Sequence, residues 1–124
     1  MATKTRQTLD QQRAAFAWRC VEHGCTKDYV ALVSGAPALV SSNGLLQALA
    51  YYHQKKGDAN ELAGHILGWL HEQLGLPNDF PNFMSRAVKL KSHAYMQATE
   101  EVLEFLRFLR QFAKANQKQK REAE

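Results

Sequence analysis

The sequence predicts an all-α protein, a single compact bundle of about five to six helices. Three observations carry that prediction. Apolar residues recur at helical rather than alternating spacing, as in Tyr95, Ala98, Val102, Phe105, Leu106 and Leu109. Proline is scarce, at 3 in 124 residues, while Ala, Leu and Gln, which lose little freedom in a helix, are common. Stop signals such as Gly24, Gly57, Gly75 and Pro77 fall between the periodic stretches.

The first helix is expected from about Thr8 to His23, because Leu9, Phe16, Ala17, Cys20 and Val21 share one face and His23-Gly24 reads as an exit. Arg13 falls on that apolar side, where a guanidinium either snorkels or finds a partner; snorkelling is the more frequent outcome. Lys27 to Val40 reads as a shorter second helix interrupted by Gly35 and Pro37. Ser41, Ser42 and Asn43 then offer capping oxygens to a third helix whose run from Leu45 to Tyr52 is apolar nearly all round, so it is expected to be the central one. Asp58 and Glu61 have capping-box spacing ahead of the stripe Leu62, Ala63, Ile66, Trp69 and Leu70. A short helix from Asn82 to Val88 and a long closing helix from Ser92 to Ala115 complete the set. Residues 1–117 are read as one helical domain and 118–124 as a charged, disordered tail, with fraying from Gln117.

A length of 124 residues with 45% hydrophobic content suffices for one core without staples. The net charge of +4 permits contact with nucleic acid without demonstrating it. The polar N-terminal stretch and the lack of a bilayer-length apolar run predict a cytoplasmic protein with no membrane partner. Cys20 and Cys25 are the only cysteines and are expected to be reduced thiols.

Cys20, His23 and Cys25 are the strongest hint of metal chemistry, but a structural zinc site takes four ligands and no second pair accompanies them. No nucleophile elbow, glycine-rich phosphate loop or paired-carboxylate motif is present, so no catalytic residue, cofactor or metal is expected. Gly64 and Gly68, four apart in the fourth helix, leave two readings open: close approach of another backbone, or tolerance at a solvent face. Phe108 lies outside the arc buried by Leu106, Leu109 and Ala113 and, with those glycines, is a candidate protein interface.

On the closing helix Arg107, Arg110 and Lys114 fall in one arc of roughly 60°. Helix-dipole matching accounts for bases near a C-terminus but does not require three in a row. They form the core of a candidate nucleic-acid surface, with Arg86, Lys89, Lys91, Lys55 and Lys56 as possible extensions. The bland reading of Lys55 and Lys56 is charge matching at a helix end.

Three features resemble the small subunit of the type III-B CRISPR effector, the Cmr complex. Asn43-Gly44-Leu45-Leu46-Gln47-Ala48-Leu49-Ala50-Tyr51, with Pro37 upstream, looks like that family's helix start. Tyr95, Ala98, Thr99, Glu100, Leu103, Leu106, Leu109, Arg110, Phe112 and Ala113 resemble its closing helix. The Gln-containing start at Thr5 to Gln12 is similar too. The combination is specific, although each motif alone is ordinary helical sequence. The chain departs from the family at Met96, where an Arg is usual after the tyrosine, and at Arg110-Gln111, where a lysine-arginine pair often precedes phenylalanine. The resemblance implies a non-catalytic helical bundle stacked in several copies beside the other Cmr subunits that hold guide RNA and helping to line the groove for target RNA; the small exposed apolar excess around Phe108 predicts a monomer when the chain is isolated. A helical adaptor that binds only protein is the first competing reading; a DNA-binding regulator is the second, and the acidic helix after Gly57, with Asp58, Glu61 and Glu72, counts against it.

Overall fold

In the computed structural model, which describes residues 7–118, the chain opens with α1 (Leu9–Val21), started by a reciprocal cap. The Thr8 hydroxyl accepts from the Gln11 N–H at 3.1 Å and the Gln11 side chain accepts from the Thr8 N–H at 2.8 Å. Gly24, at φ 101, turns the chain into α2 (Lys27–Asn43). That helix is longer than the sequence predicted, because it continues through Gly35 and Pro37. Pro37 forgoes one intrahelical hydrogen bond, but Val33, Ala36 and Val40 are buried on both sides of it and hold the helix together.

Ser41, Ser42 and Asn43 therefore lie in the last turn of α2 and cap nothing in α3 (Leu45–Gln54). Gly44, at φ 91, makes the corner, and the Leu45 N–H donates instead to the Tyr95 hydroxyl at 3.1 Å. The start of α4 (Asp58–Leu74) also differs from expectation. Gly57 is its N-cap, and Asp58 accepts the Thr26 hydroxyl at 2.8 Å, which joins the starts of α2 and α4. Gly75, in the left-handed conformation, ends α4. The helix α5 (Phe80–Ala87) starts two residues earlier than predicted because Asp79 caps it and Pro81 is tolerated in a first turn. The long α6 (Ser92–Ala115) closes the bundle.

α6 packs against α1, α2 and α4, while α3 lies on α2 and α4 with α5 alongside. The centre is thus α4 and α6, with seven buried residues each, rather than α3, with four. α3 is short, and Tyr51 and His53 face solvent at its end. The aromatic heart stacks Trp69 on Phe105 at 5.6 Å, with Phe16 of α1 tilted against both at 5.4 and 5.8 Å.

Arg13 does not snorkel. Its Nε and Nη2 donate to Glu101 of α6 at 2.6 and 2.8 Å, Trp69 Nε1 donates to the same carboxylate at 2.9 Å, and Asp10 takes another arm of the guanidinium. Glu101 is the one buried charged residue among those described, and these donors make its burial tolerable. Gln117 and Lys118, expected to fray, adjoin Cys25: the Cys25 N–H donates to Asn116 O at 3.1 Å and the Lys118 N–H to Cys25 O at 2.9 Å. The rest of the expected tail, 119–124, lies outside the described residues. Among the described residues no helix is long and apolar enough to cross a membrane.

Candidate nucleic-acid interface

The core stripe of α6, Val102, Phe105, Leu106, Leu109 and Ala113, fixes which way its other residues point. Arg107, Arg110 and Lys114 are all exposed on its second half. They are not equivalent. Arg107 is engaged by Glu104 one turn earlier, and its guanidinium lies 5.5 Å above the Phe108 ring. Arg110 and Lys114 form no ion pair among the described residues.

The other candidate bases fall into two further groups. Arg86 and Lys89 line one open concavity of about 420 Å³ with Pro77, Asn82 and Ser85, and Lys91 is exposed at the cap of α6. Lys55 and Lys56 end α3, with Lys55 Nζ 4.8 Å above the Tyr51 ring. His53, stacked on Phe80 at 4.0 Å, brings the end of α3 beside the start of α5. At 1.5 Å per residue, Lys91 and Lys114 stand about 35 Å apart along α6. Lys91 is about 24 Å from Arg107, the near end of the row, so the α5 group stands as a separate cluster on the surface.

Of the expected protein-interface residues, Phe108 is half-buried against the core beside Phe112. Gly68 has a reason inside the chain: a Cβ there would meet the Phe16 ring at 3.0 Å. The close approach is made by a side chain of α1, not by another backbone. Gly64 faces open space.

Cys20, His23 and Cys25 do not converge. His23 points into solvent beside Glu22, while Cys25 Sγ donates to Ala113 O at 3.3 Å. Instead, Cys20 and Cys25 line a cavity of about 220 Å³ with Tyr29, Asp58, Glu61 and His65, residues that sequence spacing did not connect. Its groups are quiet. Burial pushes the Cys20 thiol up to about 12, and the Cys25 thiol upward as well. Burial also holds His65 down to about 4 and raises Tyr29, so the phenol and the imidazole both stay neutral, and the Tyr29 hydroxyl and His65 Nδ1 share a hydrogen bond at 2.6 Å. Neither a thiolate nor a charged imidazole is favoured there at neutral pH. No set of three or more metal-binding side chains converges among the described residues.

Sequence reasoning passed over Trp18, which is 42% exposed and meets Phe112 edge to face at 5.6 Å. Its signal was its position about 200° around α1 from Phe16, off the buried stripe.

The profile of the CRISPR-associated protein family Cmr5 matches residues 9–116, from the first residue of α1 to the end of α6. The chain belongs to the Cmr5 family. Its fold resembles the X-ray crystal structure of a CRISPR-associated Cmr5 family protein from Thermus thermophilus, with a TM-score of 0.74 and 26% identity over 90% of this chain and 100% of that one. Membership bears out the resemblance to a Cmr small subunit carried by the Asn43–Tyr51 helix start and the closing helix. In this Cmr5 chain the Asn43-Gly44 signal is a corner between two helices, closed by the closing-helix Tyr95.

Proposed function

We propose that this chain is the non-catalytic small subunit of a Cmr RNA-guided complex in the cytoplasm, stacking in several copies beside the other subunits and helping to line the groove that holds target RNA. The observation that carries the RNA contact is the exposed row Arg107, Arg110 and Lys114, two of whose cations have no ion-pair partner among the described residues. Cations three and four positions apart on one helix flank can follow successive phosphates without reading bases. That suits a subunit whose target is specified by a guide. The Arg86–Lys89–Lys91 cluster and Lys55–Lys56 are candidate second contacts, to the same strand or to the guide RNA. Phe108 belongs to the candidate protein-facing surface, as does Gly64.

Filter binding of single-stranded RNA at two ionic strengths tests the reading. Replacing Arg107, Arg110 and Lys114 together by Gln should weaken binding and flatten the salt dependence by up to about 0.7 slope unit per lost phosphate contact. Helicity should be unchanged. Unaltered affinity and slope would move the RNA contact elsewhere; no salt-dependent binding by the wild-type chain would favour the protein-only adaptor.

A further inference from the structure

Trp18 stands in the seam between α1 and α6 and ends a row of aromatic rings. Its ring meets Phe112 at 5.6 Å and 89°, Phe112 leans on Phe108 at 6.3 Å, and Arg107 lies 5.5 Å above Phe108. The row therefore crosses the solvent face of α6 as far as Arg107, while Arg110 and Lys114 lie about 160° around the helix from Phe112. Trp18 is 42% exposed whereas Trp69, the other tryptophan, is 1% exposed. A perpendicular pair leaves indole surface that Phe112 does not cover.

Two kinds of partner use exposed tryptophan: protein interfaces and unpaired nucleobases. The charges around the seam decide between them. Of its neighbouring acids, Glu104 on α6 is engaged by Arg107 and Glu22, one turn after Trp18 on α1, lies 3.8 Å from His23, whereas Arg110 and Lys114 are unmatched among the described residues. An apolar protein surface broad enough to close over both Trp18 and the solvent face of α6 would desolvate those cations without partners, while a polyanion supplies the partners itself. With side chains, α6 is about 10–12 Å across, so a strand crossing it at Arg107 reaches both flanks.

We propose that Trp18, backed by Phe112 and Phe108, stacks an unpaired base of the RNA strand whose phosphates lie along Arg107, Arg110 and Lys114. The inference rests on the RNA-contact reading above and adds a base contact to it. Stacking on an aromatic tolerates any base, so the contact remains independent of guide sequence.

The experiment titrates the full chain with single-stranded RNA and with an abasic ribose-phosphate oligomer of equal length. Base-bearing RNA should quench Trp18 emission, and the abasic oligomer should not. Trp18→Ala should lower affinity for base-bearing RNA by about fivefold or more and leave abasic binding unchanged, while Trp18→Phe retains most of the affinity. The Arg107, Arg110 and Lys114 triple variant should weaken both. Wild-type affinity of Trp18→Ala for base-bearing RNA, with the triple variant still impaired, would overturn the stacking contact and leave the RNA-contact reading standing. Absence of RNA binding by the wild-type chain would overturn both. Emission that responds to other Cmr subunits but not to RNA would make the seam a protein interface and end the proposal.

Discussion

Glu101 is the most heavily used acceptor in the bundle, taking two donors from Arg13 and one from Trp69. Glu101→Leu would leave the Arg13 guanidinium half-buried with only Asp10, and should cost about 3 kcal/mol in urea unfolding. Replacing both partners, Arg13→Met with Glu101→Leu, should cost less than the single change, because no unpaired charge remains. An unchanged stability in Glu101→Leu would show that the ion pair holds nothing together. His65 predicts a pH effect. Burial lowers its folded value from 6.5 to about 4, so between those values the unfolded chain binds the proton that the folded chain refuses. The contribution of neutral His65 is complete above pH 6.5 and is lost as the pH falls to about 4, on the order of 3 kcal/mol in all. In His65→Gln, whose amide oxygen can still accept from Tyr29, stability should depend less on pH over that range.

Two glycines on one helix should respond to the same substitution with opposite signs. Gly64→Ala adds a methyl group to open space and should stabilise by up to about 1 kcal/mol through helix propensity. Gly68→Ala should destabilise, because the Phe16 ring it meets is fixed between Trp69 and Phe105. Thermal melts of the two variants check this. Tyr95→Phe removes the acceptor for the Leu45 N–H and should cost about 1 kcal/mol. These cases show where reading the sequence reached and where it stopped. Helix number, the buried stripes and the row on α6 were legible because a period of 3.6 residues is local information. The cap of α3 was not, since Tyr95 is brought to it only by packing. Arg13 was misread for the same reason: snorkelling is the general tendency, but the partner that overrides it is Glu101, 88 residues away. Pro37 misled because a proline rule is local and the packing that overrules it is not. Of the candidate site, the spacing of Arg107, Arg110 and Lys114 could be read directly. The Arg107 guanidinium over Phe108 and the Trp18 seam depended on side-chain direction and on packing between α1 and α6.

The whole molecule closes by joining its first helix to its last. Arg13 and Glu101 are 88 residues apart, as are Cys25 and Ala113, and α6 is the principal neighbour of α1. As a free chain the protein is expected to sediment as a monomer, since the large exposed apolar residues among those described, Leu9, Trp18, Tyr51, Val88 and Met96, are scattered over α1, α3, α6 and the α5–α6 junction. A concentration-dependent dimer in sedimentation equilibrium would contradict that. The closure also bears on biosynthesis. Emerging from the ribosome, α1 precedes its principal neighbour by most of the chain, so Phe16 can meet only Trp69 and Gly68 of α4, and Arg13 only Asp10, until Glu101 and Phe105 have been translated. Although made well before α6, α1 is expected to settle only with it, so a nascent chain stalled before α6 leaves this face short of its largest partner.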